Sequence, residues 1–564
     1  CVSSVPARVA GQVQVPPAAQ PGQQELEPER RPGAPDMTPR PPAEIEKPAQ
    51  PGAPPKEAEG PKVLVRQFRV TGNTVISAER LEALVRSEEG KELSLPQLRE
   101  AAGRITDYYA SQGYILARAY LPPQDVREGI IEIAVLEGTI GKIEVTGNER
   151  YKSATITRAL TRVENAKAVN EGLLETAIND LNDYPGLNVR ASLKPGETRG
   201  ATDIVLSAQE RLPVSFGVDV DNYGSRFTGF WRYGVELGYG NLAGLGDKLS
   251  FRGIKSEDDL KYYRVSYLVP VGGYGTKVGL SYAHSENGVG AEFAALEAAG
   301  RLDQVSADII QPILRTAGAS FQLSGGFDYK RVRNFALSQE AGNDDLRIFR
   351  LGFNGDYRDR FLGRTYYGVT WRQGTTVFGG SKKDDPGGSR IDGPGNFSVW
   401  TLDLARLQSL VYGGSYLVLR GTGQVASQNL VASEKMAVGG YYTVRGFPLS
   451  EQTGDDAYAV SAELVVPVPY LRDWVQVVGF IDHGGTFPVS RSTNPPVDRD
   501  HWMTGVGGGI RISIPIPIPY FGVSSLQIRV DYAKPVLSPK PSSFKNGITQ
   551  GEPGILYFSS SFRF

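Results

Sequence analysis

Few residues in this chain carry side chains suited to covalent or metal chemistry. Its 564 residues include one cysteine, Cys1, and three histidines, His284, His483 and His501. Three or four ligands must converge to hold zinc, and imidazoles this thinly spread do not supply them, so no metal site is expected. A single thiol excludes any disulfide within the chain. Gly238-Tyr239-Gly240 begins like a dinucleotide-binding loop, yet strand-like residues surround it and no helix follows to meet a pyrophosphate. No cofactor and no enzyme activity are expected. With 61 Lys and Arg against 62 Asp and Glu, the net charge is -1, which offers no field to gather nucleic acid. Nucleic acid is not an expected partner.

Cys1 has two readings. It is either the lipid-bearing first residue of a processed lipoprotein, a site of lipidation, or an incidental residue of an export signal. Both predict a location outside the cytosol. No uninterrupted apolar run reaches 18 residues, so no helix can cross the roughly 30 Å hydrocarbon core of a bilayer. To span a membrane, this chain must form a closed barrel.

Residues 1 to 62 hold 15 of the 38 prolines and no Phe, Tyr or Trp. Such a stretch buries too little apolar surface to offset the entropy of ordering, and a Pro-rich disordered arm or tether is expected over 1–62.

A tandem repeat follows. Val70-Thr71-Gly72-Asn73 recurs as Val145-Thr146-Gly147-Asn148, 75 positions later, each time closing a strand-like run. In the first copy a strand over Val63 to Val70 leads to a helix beginning near Ser77, with Leu81, Leu84 and Val85 on one face. A second helix beginning near Ser94 carries Leu98, Ala102, Ile105, Tyr108 and Tyr109 and stops at Gly113; strands follow over Tyr114 to Leu121 and Ile130 to Leu136. The second copy has a strand at Ile143 to Val145 and helices through Ile156 and Leu160 and through Leu174, Ile178 and Leu181. It closes with strands at Asn188 to Leu193 and Asp203 to Ala208. Two α+β domains of β-α-α-β-β order are expected, at 63–140 and 141–211.

From Leu212 to Phe564 alternation replaces helical spacing, with Gly, Asn and Asp at turns. In Tyr263-Arg264-Val265-Ser266-Tyr267-Leu268-Val269 apolar residues take every second place. A tight Gly272-Gly273 turn follows, and Val278, Leu280 and Tyr282 resume the rhythm. A lipid face and a lumen face fit this pattern. Short turns alternate with longer polar ones such as Ser256 to Asp259, and at roughly 22 residues per strand and loop, about 16 antiparallel transmembrane strands are expected over 212–564. A soluble propeller would also alternate, but it would show blade-length repeats, which are not found here. The chain ends Leu556-Tyr557-Phe558-Ser559-Ser560-Ser561-Phe562-Arg563-Phe564, with Leu556, Phe558, Phe562 and Phe564 on one face. This end, with Phe562 and Phe564, resembles the signal read by the outer-membrane barrel assembly machinery.

Four stretches carry a more specific resemblance: Asp221-Asn222-Tyr223-Gly224-Ser225 with Thr228-Gly229; Asn241-Leu242-Ala243-Gly244-Leu245-Gly246-Asp247; Val444-Arg445-Gly446-Phe447; and Gly479-Phe480-Ile481-Asp482-His483-Gly484. In this order they resemble the two-partner secretion transporters of the ShlB/FhaC/HecB haemolysin secretion and activation type, within the Omp85 superfamily. The resemblance covers residues 63 to 564. It implies a Gram-negative outer-membrane barrel whose two front units are POTRA domains in the periplasm. It also implies an inward-folded loop near 433–458, with Val444 to Phe447 at its tip and Arg445 meeting Asp482, the acid of the Gly-Phe-x-Asp motif. A charge inside a narrow lumen is costly unless paired, so a carboxylate gripping the Arg fork would fix the loop. Gly439-Gly440, Gly454-Asp455, Glu463-Leu464 and Asp531-Tyr532-Ala533-Lys534-Pro535 match weaker patterns.

The implied function is export. An unfolded exoprotein, β-helical once folded, pairs with exposed sheet edges of the front domains, threads the barrel as the Arg445 loop moves, and folds outside. Outer-membrane lipid and the barrel assembly machinery are the other implied partners. Some members plug the pore with an N-terminal helix; Gln24 to Arg31 is the candidate here, and Pro28 interrupts it. Two rivals remain. One is an assembly factor that inserts other barrels, which usually carries more front repeats; the other is a passive pore or surface-binding barrel, indifferent to Arg445.

Overall fold

The computed structural model describes residues 43–46, 61–126, 128–198, 200–382, 387–390, 393, 395–410, 413–471, 474–489, 500–518, 522–537 and 554–564. Cys1, Gln24 to Arg31 and the remainder of 1–42 and 47–60 lie outside the described residues.

The expectation of a wholly disordered arm is corrected at one point. Ile45–Glu46 forms a strand that pairs in parallel with Ala191 and Ser192. Ala43 and Ile45 pack against an apolar core there, a local pattern that composition averaged over sixty residues conceals.

The first unit has the expected order. Its opening strand is split into Val63–Leu64 and Gln67–Thr71, because Val65 N turns to Lys91 O and Arg66 N to Gly129 O. Helix Ala78–Ala83 and helix Leu95–Ser111 follow; the latter starts with a Ser94–Gln97 capping box. Strands Arg118–Tyr120 and Ile130–Leu136 complete a three-stranded sheet, whose core holds Phe68, Leu81, Ile105 and Tyr109.

The second unit runs from strand Thr139–Thr146 through Ser153–Arg158, Thr161–Glu164 and Glu171–Asn182 to strands Leu187–Pro195 and Ala201–Glu210. The helix expected through Ile156 and Leu160 is thus two short helices. One strand ends at Leu136 and the next begins at Thr139, slightly ahead of the 140/141 boundary read from the sequence.

The repeated Val-Thr-Gly-Asn has a common physical cause. Gly72 and Gly147 both sit at φ +77, where an added Cβ would collide with the carbonyl oxygens of Val135 and Ala208. The following Asn caps the turn, Asn73 Nδ2 donating to Ile76 O and Asn148 Nδ2 to Tyr151 O, each at 2.8 Å. A carboxylate after or at the end of the last strand takes the loop amides: Glu137 accepts from Thr74 N and Val75 N, and Glu210 from Arg150 N and Tyr151 N. Either Gly72→Ala or Gly147→Ala is expected to destabilise its unit by about 1–3 kcal/mol. Hydrogen exchange on the intact chain should show faster opening in that unit, with barrel strands unchanged.

Sixteen of the remaining strands close into an antiparallel barrel. Closure comes from the first strand, Val214–Asp221, pairing with the last, Ile555–Arg563, with Val218 opposite Phe562. Phe216 and Phe564 exchange backbone hydrogen bonds at that join, and their rings lie 5.5 Å apart. Leu280, Leu351, Trp400 and Ile510 are 47–61% exposed on the outside, whereas Arg232, Asp328, Glu463 and Asp531 are buried inside. This apolar exterior is what a bilayer solvates. Among the described residues no helix is long and apolar enough to cross a membrane, so strands do the crossing.

Candidate functional site

Between barrel strands Tyr416–Ala426 and Asp456–Pro467 the chain leaves the wall for residues 427–455. The sequence placed this loop near 433–458; it ends sooner because Asp456 and Ala457 already pair with Phe487 and Thr486. Met436–Val438 and Gln452–Gly454 form a small hairpin stem. Beyond it, Gly440 N donates to Phe447 O, closing the tip, and Val444 and Phe447 are fully buried with Val438, Ala457 and Met503. Apolar side chains therefore seat the tip, and a charge sits among them.

That charge is Arg445, 4% exposed. Its Nε donates to Asp482 Oδ2 at 2.7 Å and its NH2 to Asp482 Oδ1 at 3.0 Å, while its backbone N reaches the same carboxylate at 3.1 Å. NH1 meets Glu463 Oε2 at 3.1 Å and Asp531 Oδ2 at 3.4 Å. The guanidinium carbon lies 3.3 Å from the centre of the Phe480 ring. Arg511 donates to the other oxygen of Glu463. Alternation on strands Val475–Phe487, Asp456–Pro467 and Gly522–Leu537 turns these acids inward. Three buried carboxylates around one guanidinium make a cage, and a planar fork satisfies several of them at once.

Aromatic residues brace the other side. Tyr441 stacks on Tyr223 at 3.8 Å and 9°, and Tyr557 lies edge-on to Tyr223. Gly446 adopts φ +93, and its N–H donates to Tyr557 Oη, which in turn donates to Phe447 O. The loop base has its own buried pairs: Glu434 with Lys330 at 2.8 Å and Arg372 at 2.7 Å, and Asp455 with Arg390 at 3.0 Å.

The other motif residues divide between two places. Asp221 takes both Arg232 Nε and Tyr223 N, Asn222 exchanges hydrogen bonds with Leu556 O and Phe558 N across the barrel join, and Gly224 lies tight under the carbonyls of Gly229 and Phe230. Gly479 faces outward beside inward Phe480. Gly244, Gly246 and Asp247 are remote from Arg445, in the turn after strand Arg232–Gly240, where Asp247 accepts from Ala243 N and Tyr267 Oη. This turn meets the second front unit: Thr155 Oγ1 donates to Gly244 O, and the Tyr184 ring fills the space beside Gly246.

The same unit is bolted to neighbouring turns. Arg315 pairs with Asp180 and Asp183, Lys277 with Asp183 at 2.8 Å, and Arg162 donates to the carbonyls of Tyr274 and Pro312. Burial disfavours the charged Asp183, but the Arg315 and Lys277 contacts outweigh it and hold its carboxyl down at about 2. Burial instead pushes the Asp180 carboxyl up, with the opposite pH sense. A depressed acid adds stability above its ordinary range, so the Asp183 contribution to docking should be lost as pH falls from about 4 towards 2. Spin-label distances between this unit and the barrel should lengthen in that window; Asp183→Asn should be looser at pH 7 and lose that low-pH step.

Sequence reasoning quoted Glu463, Asp455 and Asp531 only as weak pattern matches, and passed over Glu434, Arg511 and Arg315. Glu463 and Asp531 could have been found from strand phase: each is a charge on the face opposite Leu464 and Tyr532, the same phase as Asp482.

Fold and site together define an outer-membrane β-barrel transporter with a periplasmic front. The family model described as haemolysin secretion/activation protein ShlB/FhaC/HecB matches residues 200–512, and that of the ShlB-type POTRA domain matches residues 63–138. The chain belongs to this haemolysin secretion/activation family. Among curated relatives, the heme/hemopexin transporter protein HuxB of Haemophilus influenzae (strain 86-028NP) is 25% identical over 473 residues, 82% of each chain. The outer membrane transporter CdiB of Escherichia coli O6:K15:H31 is 25% identical over 440 residues, 76% of this chain and 73% of that one. The solved structure of CdiB from Escherichia coli has the same fold, with TM-score 0.73 over 92% of this chain and 93% of that one, at 21% identity.

Proposed function

We propose that this transporter receives an unfolded exoprotein in the periplasm and passes it through the barrel to the cell surface, as one half of a two-partner secretion pair. The observation that carries the reading is the Arg445 cage, in which three buried carboxylates grip the tip of a long loop folded inside the barrel. Both front units act as POTRA domains, offering sheet edges to an extended chain, which gives affinity without strict sequence demand. Arg445 and Asp482 are the loop anchor, Val444 and Phe447 its apolar seat, and Phe562 with Phe564 the signal for the assembly machinery that inserts the barrel into outer-membrane lipid. The partner becomes β-helical outside, and its folding there withdraws threaded chain from the equilibrium. The protein performs no covalent chemistry.

The test is export from an outer-membrane host expressing this chain with a large exoprotein encoded beside it. Partner in the medium, dependent on this chain, supports the reading. No export, together with failure of other barrels to assemble when the chain is removed, would move it to an assembly factor; small-solute flux indifferent to Arg445 would mark a passive pore.

A further inference from the structure

The turns that meet the second front unit, at Gly244, Tyr274 and Pro312, mark the periplasmic end of the barrel, so the opposite strand ends lie at the cell surface. On the lipid-facing side of strand Ala319–Ala336 the successive outward places hold Leu323, Gly325, Phe327, Tyr329, Arg331 and Arg333, apolar towards the periplasm and basic at the surface end. Neighbouring strands keep the same level: Arg301 lies opposite Arg333, Asp303 opposite both His284 and Arg331, and Arg331 opposite Asp345. Tyr282 and Tyr329 sit one outward place below, on either side of Val305, as an aromatic girdle at the edge of the apolar band. Acids take part of the charge: Glu286 pairs with Arg301 at 3.1 Å, Asp303 with His284 at 2.8 Å and Arg333 at 3.6 Å, and Asp345 with Arg331 at 2.9 Å. Yet Arg301 and Arg333 stand directly across from each other, an arrangement of like charges that costs stability unless an anion lies between them. Their Nε atoms have no hydrogen-bond partner among the described residues, and their side chains stay 41% and 31% exposed.

Below the arginines the wall is dented. Gly325 has no side chain to stand between Ile309 and Leu351, and the resulting depression of about 620 Å³ is lined by Ala307, Ile309, Phe327, Leu351 and Trp371. A glycine in mid-strand marks a place where another molecule can approach closely. Gly325 and Arg331 are six residues apart, roughly 20 Å along the strand, so one lipid molecule can lay an acyl chain in the dent and set its headgroup against the arginines. We propose that this stretch of outer wall binds a phosphorylated glycolipid of the lipid A kind, the lipid of the surface leaflet, with a phosphate between Arg301 and Arg333 and an acyl chain over Gly325. The planar guanidinium fork matches phosphate oxygens, and two forks facing one phosphate turn a repulsive pair into a site. A bound lipid thereby stabilises the four strands Thr276–Gly288, Ala299–Arg315, Ala319–Ala336 and Gln339–Arg358. The site rests on the outer-membrane location and not on the export reading.

The test uses the full-length protein in a neutral detergent, with heat-modifiability confirming a closed barrel in every variant. Bisphosphorylated lipid A and phosphatidylglycerol are titrated separately; binding is read by native mass spectrometry and stability by the unfolding temperature. The wild type is expected to bind lipid A at least about tenfold more tightly than phosphatidylglycerol, and to unfold at a higher temperature when lipid A is bound. Arg301→Gln combined with Arg333→Gln should weaken lipid A binding by about tenfold or more and abolish that rise, while the lipid-free variant stays at least as stable as the lipid-free wild type. Gly325→Leu, which fills the dent, should weaken lipid A severalfold with both arginines intact. Equal affinity for the two lipids, or lipid A binding unchanged in the arginine variant or in Gly325→Leu, overturns the proposal. So does a lipid-free arginine variant less stable than the wild type, because the pair would then serve the wall itself and not a lipid.

Discussion

Arg445→Ala is expected to lower export of the partner at least about 100-fold while the barrel stays inserted. The substitution leaves Asp482, Glu463 and Asp531 buried at 0–1% exposure, with Arg511 still paired to Glu463. Removing one side of a buried charge pair costs about 3–5 kcal/mol, enough to expel a loop tip whose other ties are apolar contacts and single hydrogen bonds. Arg445→Lys should rescue little, since one ammonium cannot fork onto Asp482 and also reach Glu463. Export is read as partner in the medium, and loop release as new protease cleavage within 439–451. Normal export with a released loop would separate the cage from transport.

Deleting residues 63–138 should abolish export almost as completely, by a different route. The second unit carries the contacts to the barrel, through Asp180, Asp183, Arg162 and Thr155, so the barrel and its attached unit should persist without the first. What is lost is the whole three-stranded sheet of the first unit, with Arg118–Tyr120 as one of its outer strands. Export below about 1% of wild type, with unchanged barrel level and heat-modifiability, is the expected outcome; a loss on this scale corresponds to about 2.7 kcal/mol of lost capture. Undiminished export would assign the first unit a spacer role.

Much of this architecture is legible in the sequence because it is periodic. Alternation of the kind seen from Tyr263 to Val269 recurs in barrel strands such as Val475–Phe487, since lipid and lumen impose it residue by residue. The Val-Thr-Gly-Asn repeat is legible because a positive φ under a carbonyl admits little but glycine. Arg445 and Asp482 were reached through resemblance, and their geometry includes a ring, Phe480, already named in the same motif.

What escaped the sequence is aperiodic. Ile45–Glu46 is two residues amid prolines, and its pairing with Ala191 is a long-range event. Glu463 and Asp531 obey the strand phase, yet a charge facing a lumen looks, in one sequence, like a charge facing water. Arg315 and Asp183 are 132 positions apart, and no local pattern links a barrel turn to a helix end.

The central claim is that the exported chain passes through the lumen beside the inward loop. A photo-cross-linking residue placed at Tyr441, on the loop, and in a second variant at Leu280, 61% exposed on the outer wall, tests it directly against a partner stalled by a fused, tightly folded domain. Cross-links to the stalled partner from position 441 and none from 280 are predicted. Cross-links from 280 alone, or from neither position while the stalled chain is surface-exposed, would contradict passage through the lumen.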